Sequence, residues 1–413
     1  MSSSGVCPAD SQASPFGRRV LVVDTGSYTV KAGFGGDVRP SSEFASIVGY
    51  PRHVPVCTLG MNWKSNFTGP EITDSNRFML NVVSPLQDIT VTNWDSLETL
   101  WAYTFGRELN ANAEDHAVAM TEPAGWGPRD REKFAMIMFE TFDVPALFSS
   151  TTAPLALYAS GRTTGLVVDS GHGATSVMPV YAGFPLPHAV RPFAFAGRDV
   201  TSHLRSMMLG SSAGSPRPPA AGGVGTARAR ITGTERWEDD LAVIRDIKHA
   251  RCGVSLGVSA DSVASGSDPE KSELGERLYT LPDGQTITVG ETLASRAPEP
   301  MFTPIHGLQS AVLEAVARVD HQLRGELLGN IVLAGGNTLL PGFSDRLRKE
   351  LDAAVPRDAQ VNVVAPHDAQ YSAWRGASML AGLGTFRHMA IPKETYDEYG
   401  PMVLRWMCLG LGV

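Results

Sequence analysis

A continuous apolar run near the start of the chain ends in a short polar turn. Val20–Val23 is apolar throughout, and Asp24–Ser27 follows it with one glycine and two hydroxyl side chains. A short apolar run closed by turn residues is typical of a buried strand. We therefore expect a buried strand here, followed by a returning strand over Thr29–Phe34.

The same pattern recurs further along the chain. Gly165–Val168 leads into the turn Asp169–Gly171, with Val177–Tyr181 as its returning strand. A third apolar run, Asn330–Ala334, ends in Gly335–Asn337. Because repeated patterns indicate repeated structural units, the two hairpins predict a protein with two related halves.

Helical patterns lie between these strands. Asp95 and Glu98 have the spacing of a capping box, which predicts that a helix begins within Asn93–Glu98. A second helix is expected over Asp130–Phe142, and a third, single helix over Ser310–Leu328, where apolar residues recur with helical periodicity.

Length, net charge and cysteine content limit the classes of protein to which the chain can belong. A chain of 413 residues is long for one core, which favours two lobes. The net charge of −8 has no long block of one sign, so we expect no direct nucleic-acid binding. The four cysteines fit no metal or disulfide spacing, which favours a reduced, intracellular compartment. We also expect no secretory signal and no membrane span, because neither apolar pattern is present.

Residues 210–234 differ from the rest of the chain. They are rich in Gly, Ser, Pro and Ala, contain Arg217, Arg228 and Arg230, and have no acidic residue. A segment with so few apolar residues predicts a flexible insert. It is either a solvated loop or a docking segment for an acidic partner.

The strand-end turns suit phosphate chemistry. A glycine-containing turn presents backbone N–H groups to an anion. Lys31 can add a positive point charge, and Asp24 and Asp169 can hold Mg²⁺ through its water ligands. The Gly335–Asn337 turn allows a flat base to approach the backbone closely. Each motif alone is weak, but together they resemble the nucleotide clamp of actin, sugar kinases and 70-kDa heat-shock chaperones.

Longer segments identify which of these families the chain is similar to. The chain resembles actin and the actin-related proteins over residues 18 to 410. The matching segments include Val23–Ser27, Lys31–Asp37, Ser46–Gly49, Pro51–His53, Val91–Asp95, Phe139–Phe142, Leu157–Gly165, Ala196–Asp199, Arg245–Lys248, Leu281–Gln285, Ser378–Ala381 and Tyr396–Pro401.

The resemblance implies an α/β fold of the actin-like ATPase type, with two related lobes, or four subdomains, around a nucleotide cleft. Residues 1–17 would be a flexible tail. Subdomain 1 would comprise 18–45, 85–159 and 372–413, subdomain 2 would comprise 46–84, subdomain 3 would comprise 160–195 and 303–371, and subdomain 4 would comprise 196–302 with the insert.

The resemblance also implies binding of ATP or ADP with Mg²⁺ held by Asp24 and Asp169 through waters. The expected nucleotide-binding residues are Asp24, Gly26, Ser27, Tyr28, Lys31, Asp169, Gly171, His172, Gly173, Gly197, Lys248, Gly335, Gly336, Asn337 and Leu339. A partner groove is expected at Tyr158, Gly161, Thr163, Leu380 and Leu383.

The chain departs from actin where hydrolysis takes place. Actin has an aspartate at the position of His172, a glutamine at that of Thr152 and a histidine at that of Ser176. These groups hold the metal's water shell and handle the attacking water, so their loss predicts a weakened metal site and impaired hydrolysis. No catalytic residue is therefore assigned, and residual ATPase activity is left open.

The sequence favours an actin-related protein that binds adenine nucleotide and acts as a cytoskeletal or complex-building subunit in the cytoplasm. Its expected partners are other cytoskeletal or actin-family proteins. One alternative is a polymerising actin-like ATPase, which the altered residues disfavour. The other is a nuclear actin-related subunit of a chromatin-remodelling complex.

The insert gives the first testable prediction. Limited trypsin digestion should cut first after Arg217, Arg228 or Arg230, because the segment has too few apolar residues to offset the entropy of ordering. Mass spectrometry of the early fragments measures this. Resistance of this segment while the rest of the chain is digested would contradict the prediction.

Overall fold

The structure is a computed structural model that describes residues 17–52, 64–210, 237–256, 277–280, 286–303, 307–356 and 359–407. The predicted tail except Gly17, and the insert except Gly210, lie outside the described residues. The chain divides into two compact units. Unit 1 comprises Met1–Thr163, Val180–Pro185 and Tyr371–Val413, and unit 2 comprises Thr164–Pro179 and Leu186–Gln370. The four predicted subdomain boundaries stay a prediction.

The strands are numbered in chain order. They are β1 (Leu21–Thr25), β2 (Thr29–Phe34), β3 (Ser42–Ala45), β4 (Val48–Pro51), β5 (Phe67–Thr68), β6 (Leu80–Val83), β7 (Leu86–Gln87), β8 (Thr90–Val91), β9 (Val118–Glu122), β10 (Ala146–Thr151), β11 (Gly165–Ser170), β12 (Thr175–Tyr181), β13 (Phe184–Pro185), β14 (Arg191–Phe193), β15 (Arg277–Thr280), β16 (Thr286–Val289), β17 (Ile331–Ala334), β18 (Val363–Val364) and β19 (Ile391–Pro392).

The α-helices are α1 (Asp74–Arg77), α2 (Trp94–Tyr103), α3 (Pro128–Met136), α4 (Thr152–Ala159), α5 (Gly197–Gly210), α6 (Trp237–Arg251), α7 (Glu291–Arg296), α8 (Leu308–Ala317), α9 (His321–Leu328), α10 (Phe343–Ala354), α11 (Ser372–Ala381), α12 (Lys393–Tyr399) and α13 (Val403–Met407).

Unit 1 is built on a mixed sheet. Its described strands have the order β19-β10-β9-β1-β2-β3, with β1 antiparallel to β2 and parallel to β9. All five residues of β1 are buried, as an apolar run at the centre of a sheet requires. The predicted first hairpin is confirmed, since the returning strand β2 spans the expected residues. Buried aromatic side chains, including Trp101, Phe134 and Phe139, fill the core on one side.

Unit 2 contains a sheet with a similar centre. Its described strands have the order β12-β11-β17-β18, and β14 pairs with β12. Strand β11 is parallel to β17, which is parallel to β18. The second predicted hairpin is confirmed, although β12 begins two residues before Val177. Strand β13 and the last residues of β12 belong to unit 1.

Two helix predictions need correction. Helix α2 is capped by Asn93, whose side chain accepts a hydrogen bond from the Ser96 N–H at 3.0 Å, so Asp95 lies inside the helix and is not its cap. The single helix expected over Ser310–Leu328 is two helices, α8 and α9. The helix is interrupted there because the Asp320 side chain accepts a hydrogen bond from the Gln322 N–H at 2.9 Å and starts a new helix.

The helix predicted over Asp130–Phe142 is present as α3, which continues as a π-helix over Ile137–Thr141.

Helices α4 and α11 pack closely in unit 1. A Cβ on Gly376 would lie 1.9 Å from the carbonyl oxygen of Leu155, so only glycine allows this approach. The Arg375 guanidinium donates to the carbonyl oxygen of Ala159 at 2.7 Å, near the end of α4. A small residue at the crossing and a cation at the helix C-terminus therefore hold the two helices together.

The crossing gives the second testable prediction. The Gly376→Ala substitution should destabilise the protein by about 2 kcal/mol or more, because a methyl group overlaps backbone that cannot retreat. Urea unfolding followed by circular dichroism measures the change. Gly384→Ala is the matched control, since a Cβ there meets nothing within 4 Å. Equal stability of the two variants would contradict the prediction.

Candidate functional site

The first strand-end turn is a compact loop in unit 1. The Gly26 N–H donates to the carbonyl oxygen of Thr29 at 3.0 Å and closes the turn between β1 and β2. The carbonyl of Tyr28 accepts a hydrogen bond from the Ser46 N–H at 2.8 Å. The backbone of the turn is therefore fixed to both the returning strand and the segment after β3.

Asp24 lies at the end of β1, where sequence predicted a metal-binding carboxylate. Its Oδ2 is 3.0 Å from Lys31 Nζ on the paired strand. Its Oδ1 accepts a hydrogen bond from Thr121 Oγ1 at 2.6 Å. Both carboxylate oxygens are thus engaged by protein donors in this arrangement. The sequence analysis did not identify Thr121. The signal was present, because Thr121 follows three apolar residues of β9 in the same way that Asp24 follows three apolar residues of β1.

The second turn, in unit 2, has the same geometry. The Gly171 N–H donates to the carbonyl oxygen of Ala174 at 2.9 Å, again three residues along the chain. The buried Ser170 hydroxyl lies 2.8 Å from Thr175 Oγ1 on the returning strand. Both predicted turns are therefore present, one in each unit, and each is closed by the same hydrogen bond, while their binding of phosphate stays a prediction.

The third predicted turn packs against the second. Gly335 has φ +85°, and a Cβ on it would lie 2.3 Å from the Ser170 carbonyl oxygen and 2.8 Å from Asp169 Oδ1. Glycine is required here because of its positive φ and because a Cβ would overlap these two oxygen atoms. The turn continues into a short 3-10 helix over Gly336–Leu339.

Asn337 has a structural contact that sequence did not anticipate. Its side chain is buried, and Nδ2 donates to the Ser170 hydroxyl at 3.0 Å. The amide therefore ties the third turn to the end of β11. Direct contact of Asn337 with a nucleotide stays a prediction.

A basic cluster surrounds the second turn. The Lys248 ammonium is buried and donates to the carbonyl oxygen of Gly197 at 3.0 Å. The Gly197 N–H donates to the Gly171 carbonyl oxygen at 3.0 Å, and the Arg198 N–H donates to the His172 carbonyl oxygen at 2.7 Å. The start of α5 thus joins Lys248 on α6 to the turn at Gly171 and His172.

Burial and nearby positive charges lower the pKa values of the ionisable groups in this cluster. Burial lowers the pKa of His172 to about 3, and the positive charges of Lys248, Arg245 and Arg198 add to the effect. Burial also lowers the pKa of Lys248 to about 8 and that of His249 to about 4. His172 is therefore a neutral imidazole near pH 7 and supplies no negative charge.

Thr152 and Ser176, the other two catalytic-site positions that differ from actin, lie on separate elements. Thr152 is the first residue of α4 in unit 1. Ser176 lies on β12 in unit 2, opposite Pro192 of β14. Neither position offers a side chain long enough to replace the glutamine and histidine that the family resemblance assigns there.

The five predicted groove residues lie together in unit 1. They line a cavity of about 470 Å³ with four further residues. Met379 and Leu383 are half-exposed at its edge. The complete lining is Gly36, Tyr158, Gly161, Arg162, Thr163, Met379, Leu380, Gly382 and Leu383.

Comparison with known families identifies the chain. Residues 17–409 match the family described as Actin, which is almost the whole chain. The chain therefore belongs to the actin family, and the predicted fold class and family resemblance are confirmed. Within the described residues, no helix is long and apolar enough to cross a membrane.

Proteins of this family generally bind a nucleotide and Mg²⁺, but the residues here fit a magnesium ion poorly. The described residues contain no group of three or more His, Cys, Asp or Glu side chains placed to hold a metal. Lys31 and Thr121 engage the Asp24 carboxylate, and His172 offers a neutral nitrogen where magnesium prefers oxygen.

The titration of His172 gives the third testable prediction. Its pKa of about 3 in the folded protein lies below the value of about 6.5 in an unfolded chain. The unfolded state therefore binds more protons between these values, so stability falls as the pH drops. From pH 7 to pH 5 the loss due to His172 should be on the order of 2 kcal/mol.

Urea unfolding at several pH values measures this slope. The His172→Gln variant should show a shallower fall in the free energy of unfolding between pH 7 and pH 5. His388→Gln is the control because His388 is exposed. A slope that His172→Gln leaves unchanged would mean that folding does not lower the pKa of His172.

Proposed function

We propose that this member of the actin family binds adenine nucleotide, hydrolyses it slowly or not at all, and works as a cytoskeletal or complex-building subunit. The repeated strand-end turn supports nucleotide binding most directly. Each unit has a glycine N–H that closes the turn onto the carbonyl three residues later, at 3.0 Å for Gly26 and 2.9 Å for Gly171. Compact turns of this kind present backbone N–H groups to phosphate oxygens.

Slow hydrolysis follows from the side chains that accompany these turns. Phosphoryl transfer depends on positioning of the attacking water and on compensation of charge. Thr152 and Ser176 are too short to position that water as glutamine and histidine do. His172 is held neutral by burial and by its cationic neighbours, so it cannot act as the missing carboxylate.

The subunit role is supported by the groove at Tyr158, Gly161, Thr163, Leu380 and Leu383. Its lining combines apolar side chains with the half-buried Arg162. An apolar floor beside a cation suits a partner segment that is amphipathic and acidic. We propose a cytoplasmic, cytoskeletal location, and immunofluorescence of the endogenous protein separates this from the nuclear alternative.

Hydrolysis gives the fourth testable prediction. The purified protein should retain ATP, and single-turnover hydrolysis should be at least ~100-fold slower than that of conventional actin measured in parallel, because positioned catalytic groups are absent. The triple variant Thr152→Gln, His172→Asp and Ser176→His should raise the rate, since it restores the three missing groups together.

The control is a triple variant that adds no catalytic group, Thr152→Val, His172→Asn and Ser176→Ala. Its rate should stay as low as that of the unmodified protein. Brisk turnover by the unmodified protein would overturn the proposal of slow hydrolysis. Absence of bound nucleotide, together with failure to bind added ATP, would overturn nucleotide binding itself.

A further inference from the structure

The turn at Gly335 and Gly336 in unit 2 leaves one face of its backbone open. A Cβ on Gly336 would meet a single described atom within 4 Å beyond its chain neighbours, the Cβ of Gln370 at 3.8 Å. The Gly335 N–H donates to the carbonyl oxygen of Ala369 at 3.0 Å, so the backbone next to Gln370 is held against the turn. A flat ring that approaches this open backbone would therefore lie beside the Gln370 side chain.

A chain of buried hydrogen bonds holds this turn in place. Thr175 Oγ1 donates to the carbonyl oxygen of Phe195 at 2.9 Å, so the Thr175 proton is already used. The Ser170 hydroxyl therefore donates to Thr175 Oγ1 at 2.8 Å and accepts from Asn337 Nδ2 at 3.0 Å. All three side chains are at most 4% exposed. Each hydroxyl proton has a fixed acceptor, so the turn is rigid before a ligand arrives.

Gln370 differs from these buried groups. Its side chain is half-buried, and within the described ranges its carboxamide has no hydrogen-bond partner. A carboxamide carries an acceptor oxygen and a donor NH₂ group of nearly the same shape. Rotation about the last side-chain bond exchanges the two groups, so Gln370 can either accept from or donate to a ligand atom at one place.

We infer that Gln370 hydrogen-bonds to the group at position 6 of a bound purine, so that this protein binds 6-amino and 6-oxo purine nucleotides alike. This inference rests on the proposed function, and it goes further by naming the residue that reads the base and by widening the class of base beyond adenine. The carboxamide oxygen accepts from the amino group of adenine, and the rotated NH₂ group donates to the oxo group of hypoxanthine or guanine. Each arrangement forms one hydrogen bond, which gives neither base a large advantage.

Equilibrium binding to the purified, nucleotide-free full chain tests the inference with three triphosphates that differ at position 6. ATP has an amino group there, inosine triphosphate an oxo group, and purine riboside triphosphate only hydrogen. Titration calorimetry in MgCl₂ should give Kd values for ATP and inosine triphosphate that agree within about fivefold. Purine riboside triphosphate should bind at least about fivefold more weakly than both, because its C–H leaves the carboxamide without a partner.

Two substitutions of Gln370 separate base reading from a structural role. Gln370→Met keeps the length of the side chain and removes both polar groups, so ATP and inosine triphosphate should weaken to the affinity of purine riboside triphosphate. Gln370→Glu keeps the shape but only accepts hydrogen bonds, so it should favour ATP over inosine triphosphate by at least about fivefold. The readout is the ratio of the two affinities, because an added charge acts equally on both triphosphates. Gln322→Met and Gln322→Glu are the matched controls, since Gln322 is exposed on α9 in the same unit.

The outcomes separate this inference from the function on which it rests. A preference of more than about fivefold for either ATP or inosine triphosphate in the unmodified protein overturns the inference and leaves nucleotide binding intact. Equal binding of all three triphosphates, or a ratio that Gln370→Glu leaves unchanged, also overturns it, since Gln370 then reads nothing at position 6. Absence of binding for all three overturns the proposed nucleotide binding as well. If the Gln370 variants fail to fold, as judged by circular dichroism, the comparison of the three triphosphates still decides the question.

Discussion

Both glycine turns, one in each unit, depend on the way a buried strand is held before its turn. Strand β1 lies between β2 and β9, and β11 lies between β12 and β17, so each strand has a neighbour on both sides before its turn begins. The hydrogen bonds from Gly26 and Gly171 then close turns whose position is set by the sheet. A phosphate-binding turn needs such a rigid base, because donors that move lose the benefit of preorganisation.

Charge distribution distinguishes the two glycine turns from each other. The turn in unit 1 carries an internal ion pair, in which Lys31 and Asp24 neutralise one another at 3.0 Å. The turn in unit 2 has Lys248, Arg245 and Arg198 near a neutral imidazole. Two turns closed by the same hydrogen bond thus provide different electrostatic environments.

The sequence predicted the strands and turns well, because apolar runs ending in glycine have few alternative structures. It predicted one helix over Ser310–Leu328 because periodicity continues across the break, and only the side-chain bond of Asp320 reveals the division. The sequence analysis identified His172 and Lys248 as candidate nucleotide-binding residues, but it did not predict that they lie in one basic cluster. Arg198 and Arg245 lie far apart in sequence, and no pattern along the chain could bring them to one turn.

The buried Lys248 would link binding of an anion to folding. Its ammonium has only the Gly197 carbonyl as a hydrogen-bond acceptor in the described part of the chain, and burial, together with the positive charge of Arg245, lowers its pKa. A ligand that binds only the folded state stabilises it by about 4 kcal/mol when its concentration is a thousand times its Kd. A polyanion would add to this by relieving the repulsion among the cations. Under the proposed function, a retained nucleotide would stabilise the folded state, which agrees with the short side chains at Thr152 and Ser176.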